Sequence, residues 1–190
     1  MSDFARILVV AATDRELATP AGWRTLACGV GPVDAAAATA AAIVAQRPSA
    51  IVHVGIAGAR RASAIEPATL VIGSAALWCD VAPGFRWAPR EIAAAPSLLD
   101  AARRALPHAL ERRIGTSARV GGTSDCEVEA MEGYAVLRAA LLAGIPAIEV
   151  RAISNAVEES DRSLWRFDDA FAAITAATPQ LVAEVASCVR

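Results

Sequence analysis

Short apolar runs alternate along the chain with stretches in which apolar residues recur at helical spacing. The apolar runs predict strands at residues 6–12, 24–28, 50–55, 68–77, 114–120 and 147–153. The helical spacing predicts helices at 33–46, 97–105, 133–143 and 167–188. This alternation predicts an α/β fold of three layers, in which helices flank a central mixed, mostly parallel β-sheet.

Length and composition narrow the class of protein. A chain of 190 residues without an internal repeat predicts a single domain over 1–190. The 18 basic residues, all arginine, are balanced by 20 acidic ones, so no excess charge favours nucleic acid. Four widely separated cysteines predict neither a disulfide framework nor a zinc site, and no cofactor or metal is expected. The apolar run at 7–12 is too short to span a bilayer, so we expect a cytoplasmic protein that does not bind membranes.

Polar or small residues follow several of the predicted strands. In open α/β sheets, ligands bind beyond the carboxyl ends of the strands, so these residues are expected to share one pocket. They are Thr13 to Glu16, the Gly55-Ile56-Ala57-Gly58 turn, Ser154 with Asn155, and Glu129, Met131 and Glu132 before a helix. The alternatives are that Glu16 and Glu132 are solvated carboxylates favoured by a helix dipole, and that the glycines only allow a tight turn.

Several common sites are excluded. The glycine turn has neither the spacing of a dinucleotide site nor the ending of a P-loop, and there is no Gly-x-Ser-x-Gly elbow. His53 lies in the middle of an apolar strand and is predicted to be a packed core residue, whereas His108 is predicted at the surface.

Five segments, in order, resemble the purine nucleoside phosphorylase and nucleosidase superfamily. They are Ala11-Ala12 with Glu16, Gly29 to Pro32, Gly55 to Gly58, Met131-Glu132-Gly133, and Arg151-Ala152-Ile153-Ser154-Asn155. Within the superfamily, the stretch from Ile153 to Glu158, with Asp161, Arg162 and Trp165, is most similar to the futalosine hydrolase family. The resemblance implies hydrolysis of the N-glycosidic bond of futalosine, which releases hypoxanthine in a route to menaquinone.

The resemblance also implies roles for individual residues. Glu16 would orient and deprotonate the attacking water, and Glu132 would accept hydrogen bonds from the ribose hydroxyls. Met131 would pack beneath the sugar. The remaining expected substrate-binding residues are Ile56, Ala57, Gly58, Arg151 and Ser154.

Asn155 is the residue expected to select the base. Adenine-cleaving members of the superfamily have aspartate at this position, whereas an amide offers both a donor and an acceptor. Asn155 would donate to O6 of a 6-oxopurine and accept from N7, which favours hypoxanthine or guanine. Ser154 would fix the orientation of this amide. Arg151 would brace the site, with direct contact to the substrate as the alternative.

The sequence says less about the identity of the nucleophile and about the residues that bind the far end of the substrate. Ile56 lies where phosphorylases have a hydroxyl, which favours water over phosphate. For the aryl carboxylate end of futalosine, two arginine–aromatic pairings remain open, Phe85-Arg86-Trp87 and Arg162 with Trp165. The stretch 114–128 is shorter than in the superfamily, where it supplies part of the wall beside the base.

The competing functions are a related nucleosidase, a phosphorylase and a non-catalytic scaffold. The related nucleosidase would act on 6-amino-6-deoxyfutalosine, methylthioadenosine or S-adenosylhomocysteine. Two carboxylates at strand ends, Glu16 and Glu132, argue against a scaffold. The partner is expected to be a small nucleoside, and the protein is expected to form a homodimer or a larger homo-oligomer.

Overall fold

The computed structural model describes residues 3–82, 84–121 and 126–189. The strands are β1 (Ile7–Ala11), β2 (Arg24–Ala27), β3 (Ala50–Ala59), β4 (Leu70–Trp78), β5 (Glu91–Ala93), β6 (Leu110–Thr116), β7 (Val128–Ala130) and β8 (Ala147–Ala156). The helices are α1 (Pro32–Gln46), α2 (Pro96–Ala105), α3 (Gly133–Leu142) and α4 (Phe167–Cys188). Proline at the first position of α1 and of α2 supplies the backbone angle that a helix start requires.

The sheet closes on itself, which corrects the expectation of an open central sheet. Within the described residues, one eight-stranded sheet has the order β2-β1-β3-β7-β6-β4-β5. Strand β8 pairs with β3 on one side and with β4 on the other, so β3, β7, β6, β4 and β8 form a ring. Register shifts between Ala57 and Gly58 and between Gly73 and Ala75 mark irregularities that bend strands of this ring.

Helices cover the sheet from two sides, as the apolar pattern predicts. Ile7 and Val9 of β1 pack into a core that includes Leu98 of α2 and Leu181 of α4. The alternate β1 residues, including Leu8, pack toward α1 and α3 on the other side. A third cluster belongs to the strands of the ring: Ala57, Ala59, Val71, Ile114, Val128, Ala130 and Ile153. The side chains of successive strand residues therefore serve different cores.

The element boundaries differ from the prediction mainly around the ring. The strand that begins at Ala50 continues through Gly55-Ile56-Ala57-Gly58 to Ala59, so this segment is not a turn. Strand β8 similarly includes Ser154 and Asn155. Strand β6 begins four residues before the predicted one, and the short strands β5 and β7 were not predicted. Hydrogen bonding to neighbouring strands holds these segments extended, and a local pattern does not show such pairing.

Helix α4 is long and apolar enough to cross a membrane by length and composition, but it packs as a core helix. One face is buried against the sheet and α2, while Asp168 and Asp169 lie in its first turn. The buried residues of this helix are Ala170, Ile174, Thr178, Leu181, Val182, Val185 and Ala186. Their spacing of three or four residues is that of an amphipathic helix on a protein core.

Ring closure predicts a specific pattern of amide hydrogen exchange. Because residues 149–152 of β8 have a paired strand on both sides, we expect their amides to exchange as slowly as those of β3, by global unfolding. Strand β2, which pairs only with β1 in the described sheet, serves as the internal control and should exchange faster. NMR-detected exchange in which every second amide of residues 149–152 is unprotected would contradict the pairing of β8 with β4.

Candidate functional site

The ends of β1, β3 and β8 and the start of α3 enclose a cavity of about 280 Å³. Most of the site residues expected from the sequence line it, namely Glu16, Ile56, Gly58, Met131, Glu132, Ser154 and Asn155. The two remaining ones, Ala57 and Arg151, are buried beside it and are not among its lining residues. The extension of β3 and β8 beyond their predicted ends is what brings the glycine segment and Asn155 to this cavity.

Glu16 is a buried carboxylate held by three donors. It lies in a short 3₁₀ turn, Asp14–Glu16, directly after β1. The backbone amide and hydroxyl of Thr13 donate to Oε2 at 2.8 and 2.9 Å, and the amide of Ile56 donates to Oε1 at 3.1 Å. Glu16 is only 4% exposed, so the solvated-carboxylate alternative is wrong. Its carboxylate is instead oriented at the cavity wall.

Glu132 is likewise buried and fixed by contacts distant in the chain. The amide of Gly31 donates to Oε1 at 3.0 Å, and Nη2 of Arg151 lies 3.4 Å from Oε2. Gly31 has a φ of 92°, a conformation that favours glycine, and it caps the start of α1. The Gly29 to Pro32 segment thus directs a backbone donor at this carboxylate. Glu132 is therefore not a solvated carboxylate at a helix start.

Arg151 supplies the positive charge beneath these carboxylates. Its side chain donates from Nε to Glu149 Oε1 at 2.8 Å and from Nη1 to the carbonyl of Ile56 at 3.3 Å, and it contacts Nε2 of His53. Burial lowers the pKa of the guanidinium, but the carboxylates of Glu149 and Glu132 outweigh burial and raise it. Arg151 therefore stays charged and contacts Glu132 without lining the cavity.

Two glycines make room for this buried network. A Cβ on Gly55 would lie 2.3 Å from Arg151 Nη1 and 2.8 Å from Glu16 Oε1. A Cβ on Gly133 would lie 2.1 Å from Glu149 Oε2. Such distances are far shorter than van der Waals contact, so a larger residue at either position would have to displace the Arg151, Glu16 or Glu149 side chain. The glycines serve close approach of side chains rather than chain reversal.

Asn155 presents an amide whose orientation is set by its neighbours. Ser154 Oγ donates its single hydrogen to Oδ1 of Asn155 at 2.7 Å, and the carbonyl oxygen of Ala57 lies 3.2 Å from the same Oγ. The amide nitrogen of Asn155 donates to the carbonyl of Ala156 at 2.8 Å. An amide has two hydrogens and an oxygen with two lone pairs, so one donor and one acceptor position remain for a ligand. The position of Ser154 is the one expected of it.

Aromatic and other residues complete the lining of the cavity. An aromatic wall contains Trp165, Phe167 and Phe171, whose neighbouring ring centroids lie 5.3 and 6.1 Å apart. Arg162 lies over Trp165, with Cζ 5.4 Å from the ring centroid. The remaining lining residues are Ala12, Thr13, Val30, Arg119, Val120, Gly121, Glu129, Ala130 and Val157. The phenylalanines begin a helix of ordinary core spacing, so no pattern distinguishes them as site residues.

The structure separates the two arginine–aromatic pairings that the sequence leaves open. Arg162 and Trp165 line the cavity. Trp87 is 90% exposed, and Phe85 packs edge-on against Trp78; neither is among the lining residues. Of the shortened stretch 114–128, Arg119 to Gly121 contribute to the wall, and residues 122–125 lie outside the described residues. The described residues contain no group of three or more His, Cys, Asp or Glu placed to hold a metal ion.

Comparison with known proteins decides the family. No protein-family model matches the chain. The futalosine hydrolase of Streptomyces coelicolor is 34% identical over 186 residues, an alignment covering 85% of this chain and 79% of the relative. The chain belongs to the futalosine hydrolase family. The futalosine hydrolase of Thermus thermophilus is 38% identical over 76 residues, 40% of this chain and 29% of that relative.

Solved structures confirm a nucleosidase-like fold. The futalosine hydrolase of Helicobacter pylori superposes with a TM-score of 0.83 at 15% identity, covering 94% of this chain and 97% of that one. The 5′-methylthioadenosine/S-adenosylhomocysteine nucleosidase of Neisseria meningitidis, in complex with methylthio-immucillin-A, gives a TM-score of 0.78 at 23% identity over 94% and 97%. At these identities the likeness establishes the fold, and the choice of futalosine hydrolase family depends on the curated relative.

His53 connects the buried network around Arg151 to the stability of the fold. Its Nδ1 lies 3.0 Å from the carbonyl of Val10, and its Nε2 faces Arg151, so the ring is neutral and protonated at Nδ1. Burial, and then the charge of Arg151, lower its pKa well below the usual 6.5. Just below pH 6.5, His53 therefore stays neutral in the folded state but becomes protonated in the unfolded state. Stability from this group is present above pH 6.5 and is lost as pH falls below it.

The substitution His53→Asn tests this linkage. Below about pH 6.5, the free energy of unfolding of the wild type should fall by about 1.4 kcal/mol per pH unit relative to the variant. Urea titrations at several pH values measure the difference, with His108→Asn as the exposed control. Parallel pH dependence of wild type and His53→Asn would show that the ring is not buried as a neutral group.

Proposed function

We propose that this protein hydrolyses the N-glycosidic bond of futalosine and releases hypoxanthine and dehypoxanthine futalosine. The observation that supports it most directly is the convergence of Glu16, Glu132 and Asn155 on one cavity, although they are far apart in the chain. The 34% identity to a futalosine hydrolase over most of the chain supports the same substrate. Such a site holds a nucleoside by its sugar and its base and leaves the glycosidic bond between them.

Glu16 activates the nucleophile in this proposal. In the reaction the bond between C1′ and the base nitrogen breaks, and the oxygen of water bonds to C1′. Glu16 accepts the proton of that water, and the base leaves with a proton taken up from solvent. Three donors fix the Glu16 carboxylate, so its remaining lone pairs are oriented before substrate arrives. Its charge also favours the positive charge that develops on the ribose ring.

Glu132 and Met131 hold the ribose. Gly31 and Arg151 fix the carboxylate of Glu132 from the side away from the cavity. The ribose diol can therefore donate to oxygens whose position is already set, and such bonds strengthen as the sugar becomes cationic. Met131 lines the cavity next to it and offers an apolar surface to the ring.

Asn155 holds the leaving base. The remaining hydrogen of its amide would donate to O6 of hypoxanthine, and its oxygen would accept from a protonated N7. Because this bond requires a hydrogen on N7, it favours the N7-protonated form, in which hypoxanthine leaves as a neutral base rather than as an anion. Ser154 keeps the amide oxygen on its side, so the amide does not rotate freely between two arrangements.

Water is favoured over phosphate because of the charges around the cavity. Glu16, Glu129 and Glu132 all line it. A phosphate dianion beside Glu16 would be repelled, and the amide of Ile56, which could contact it, already donates to Glu16. The arginines that line the cavity, Arg119 and Arg162, lie on the loops after β6 and β8.

The aryl carboxylate end of futalosine fits the wall formed by Arg162 and Trp165. An arginine pairs with a carboxylate, and an aromatic face packs against an aryl ring. Arg162 already lies over Trp165, so one ligand can contact both. Phe167 and Phe171 extend the apolar surface that an aryl ketone would cover.

The proposal also covers the metabolic route, the cellular location and the oligomeric state of the enzyme. We infer a role in menaquinone formation, since futalosine is an intermediate of that route, and a location in the cytoplasm. A homodimer or larger homo-oligomer is supported by exposed apolar side chains on two adjoining helices, including Val33 and Val44 of α1 and Leu142 of α3.

Release of hypoxanthine from futalosine in phosphate-free buffer tests the proposed function. The wild type should turn over futalosine, and added phosphate should not raise the rate. Glu16→Gln should lower kcat by 10²–10⁴-fold, the usual contribution of a general base, while the Kd of futalosine stays within about threefold. Chromatography measures the free base, and calorimetry on the inactive variant measures binding.

Asp14→Asn is the matched control, because Asp14 lies in the same 3₁₀ turn but is exposed. It should retain wild-type turnover. Absence of hypoxanthine release, together with rapid cleavage of methylthioadenosine, would overturn the substrate. Full activity of Glu16→Gln would overturn the assignment of the base.

A further inference from the structure

Glu129 is a buried carboxylate in the cavity wall to which the reaction above assigns no step. It lies in β7, and its side chain is 5% exposed. It lines the same cavity as Asn155. Its carboxylate lies 3.6 Å from Nη2 of Arg60, whose Nε donates to the carbonyl of Cys126 at 3.2 Å. Arg60 does not line the cavity, so the charge of Glu129 is balanced from behind the wall.

The strand register places Glu129 and Asn155 on either side of one glycine. Gly58 of β3 pairs with Asn155 of β8 on one side and with Glu129 of β7 on the other. Paired residues of neighbouring strands direct their side chains to the same face of a sheet. A Cβ on Gly58 would lie 3.1 Å from Nδ2 of Asn155. The two polar side chains therefore flank a strip of bare backbone across which a flat ring can lie.

Purine chemistry distinguishes what these two side chains can recognise. A 6-oxopurine presents an acceptor at O6 and a donor at N1, whereas a 6-aminopurine presents a donor at the amino group and an acceptor at N1. The amide of Asn155 contains both a donor and an acceptor, so by itself it can find a bond to either base. An ionised carboxylate only accepts. A carboxylate that faces N1 therefore accepts a hydrogen bond from N1–H of a 6-oxopurine. The same carboxylate repels the N1 lone pair of a 6-aminopurine.

We propose that Glu129 accepts a hydrogen bond from N1–H of the base and thereby selects 6-oxopurine over 6-aminopurine nucleosides. This inference rests on the proposed function, because it assumes that the base lies against Asn155. Asn155 then recognises the five-membered ring and O6, and Glu129 recognises the opposite edge of the six-membered ring. Gly58 leaves room for the base between them.

The substitution Glu129→Gln tests the proposal through substrate preference. The ratio of kcat/KM for futalosine to that for 6-amino-6-deoxyfutalosine should fall about 10- to 100-fold in the variant, since its amide can donate to N1 of the amino substrate. Glu158→Gln is the matched control: Oε1 of Glu158 lies 3.8 Å from the other terminal nitrogen of Arg60, outside the cavity lining. It should leave the ratio unchanged. A Glu129→Gln ratio within twofold of wild type would overturn the proposal.

Binding of free bases separates this inference from the proposed function and needs no catalysis. By calorimetry, wild type should bind hypoxanthine at least tenfold more tightly than adenine or 1-methylhypoxanthine, which lacks the N1 donor. Equal affinity for hypoxanthine and 1-methylhypoxanthine, or no preference over adenine, would overturn the role of Glu129. Failure to cleave futalosine with this preference intact would overturn the proposed function alone.

Discussion

The buried guanidinium of Arg151 is the interaction on which the site depends. Carboxylates removed from water cost several kcal/mol each unless a charge or a set of donors compensates them. Arg151 contacts Glu149, Glu132 and His53 at once, and it is completely buried. Backbone donors from Gly31 and Ile56 complete the compensation. The cavity can therefore present fixed negative charge where a nucleoside develops positive charge.

Glu149 shows how far this network extends behind the cavity. Burial raises the pKa of its carboxyl group, although Arg151 lowers it by charge and hydrogen bonding. Its Oε2 has no hydrogen-bond partner among the described residues and lies against Gly133 at the start of α3. Because Arg151 spans from Glu149 to Glu132, the position of α3 and the position of the Glu132 carboxylate are linked. The fold and the site thus share the same buried ion pairs.

The sequence predicted the helices and most strands well, because their apolar periodicity is local. Glu16, Glu132 and Asn155 could be identified from short motifs that resemble a known superfamily. Closure of the ring could not be predicted, since it depends on pairing of β8 with both β3 and β4. The sequence placed Glu129 among the residues expected to share the pocket, but its position across Gly58 from Asn155 follows from two strand registers that a local pattern does not show. Phe167 and Phe171 of α4 could not be recognised as cavity residues, because their spacing is that of an ordinary core helix.

A crystal structure with hypoxanthine bound tests the central claim most directly, that one nucleoside lies among Glu16, Glu132 and Asn155. The account predicts the base against Gly58, with N7 and O6 toward the amide of Asn155 and the glycosidic nitrogen directed to the space between Glu16 and Glu132. A base bound outside this cavity, or inside it with the glycosidic nitrogen directed away from both carboxylates, would contradict the account.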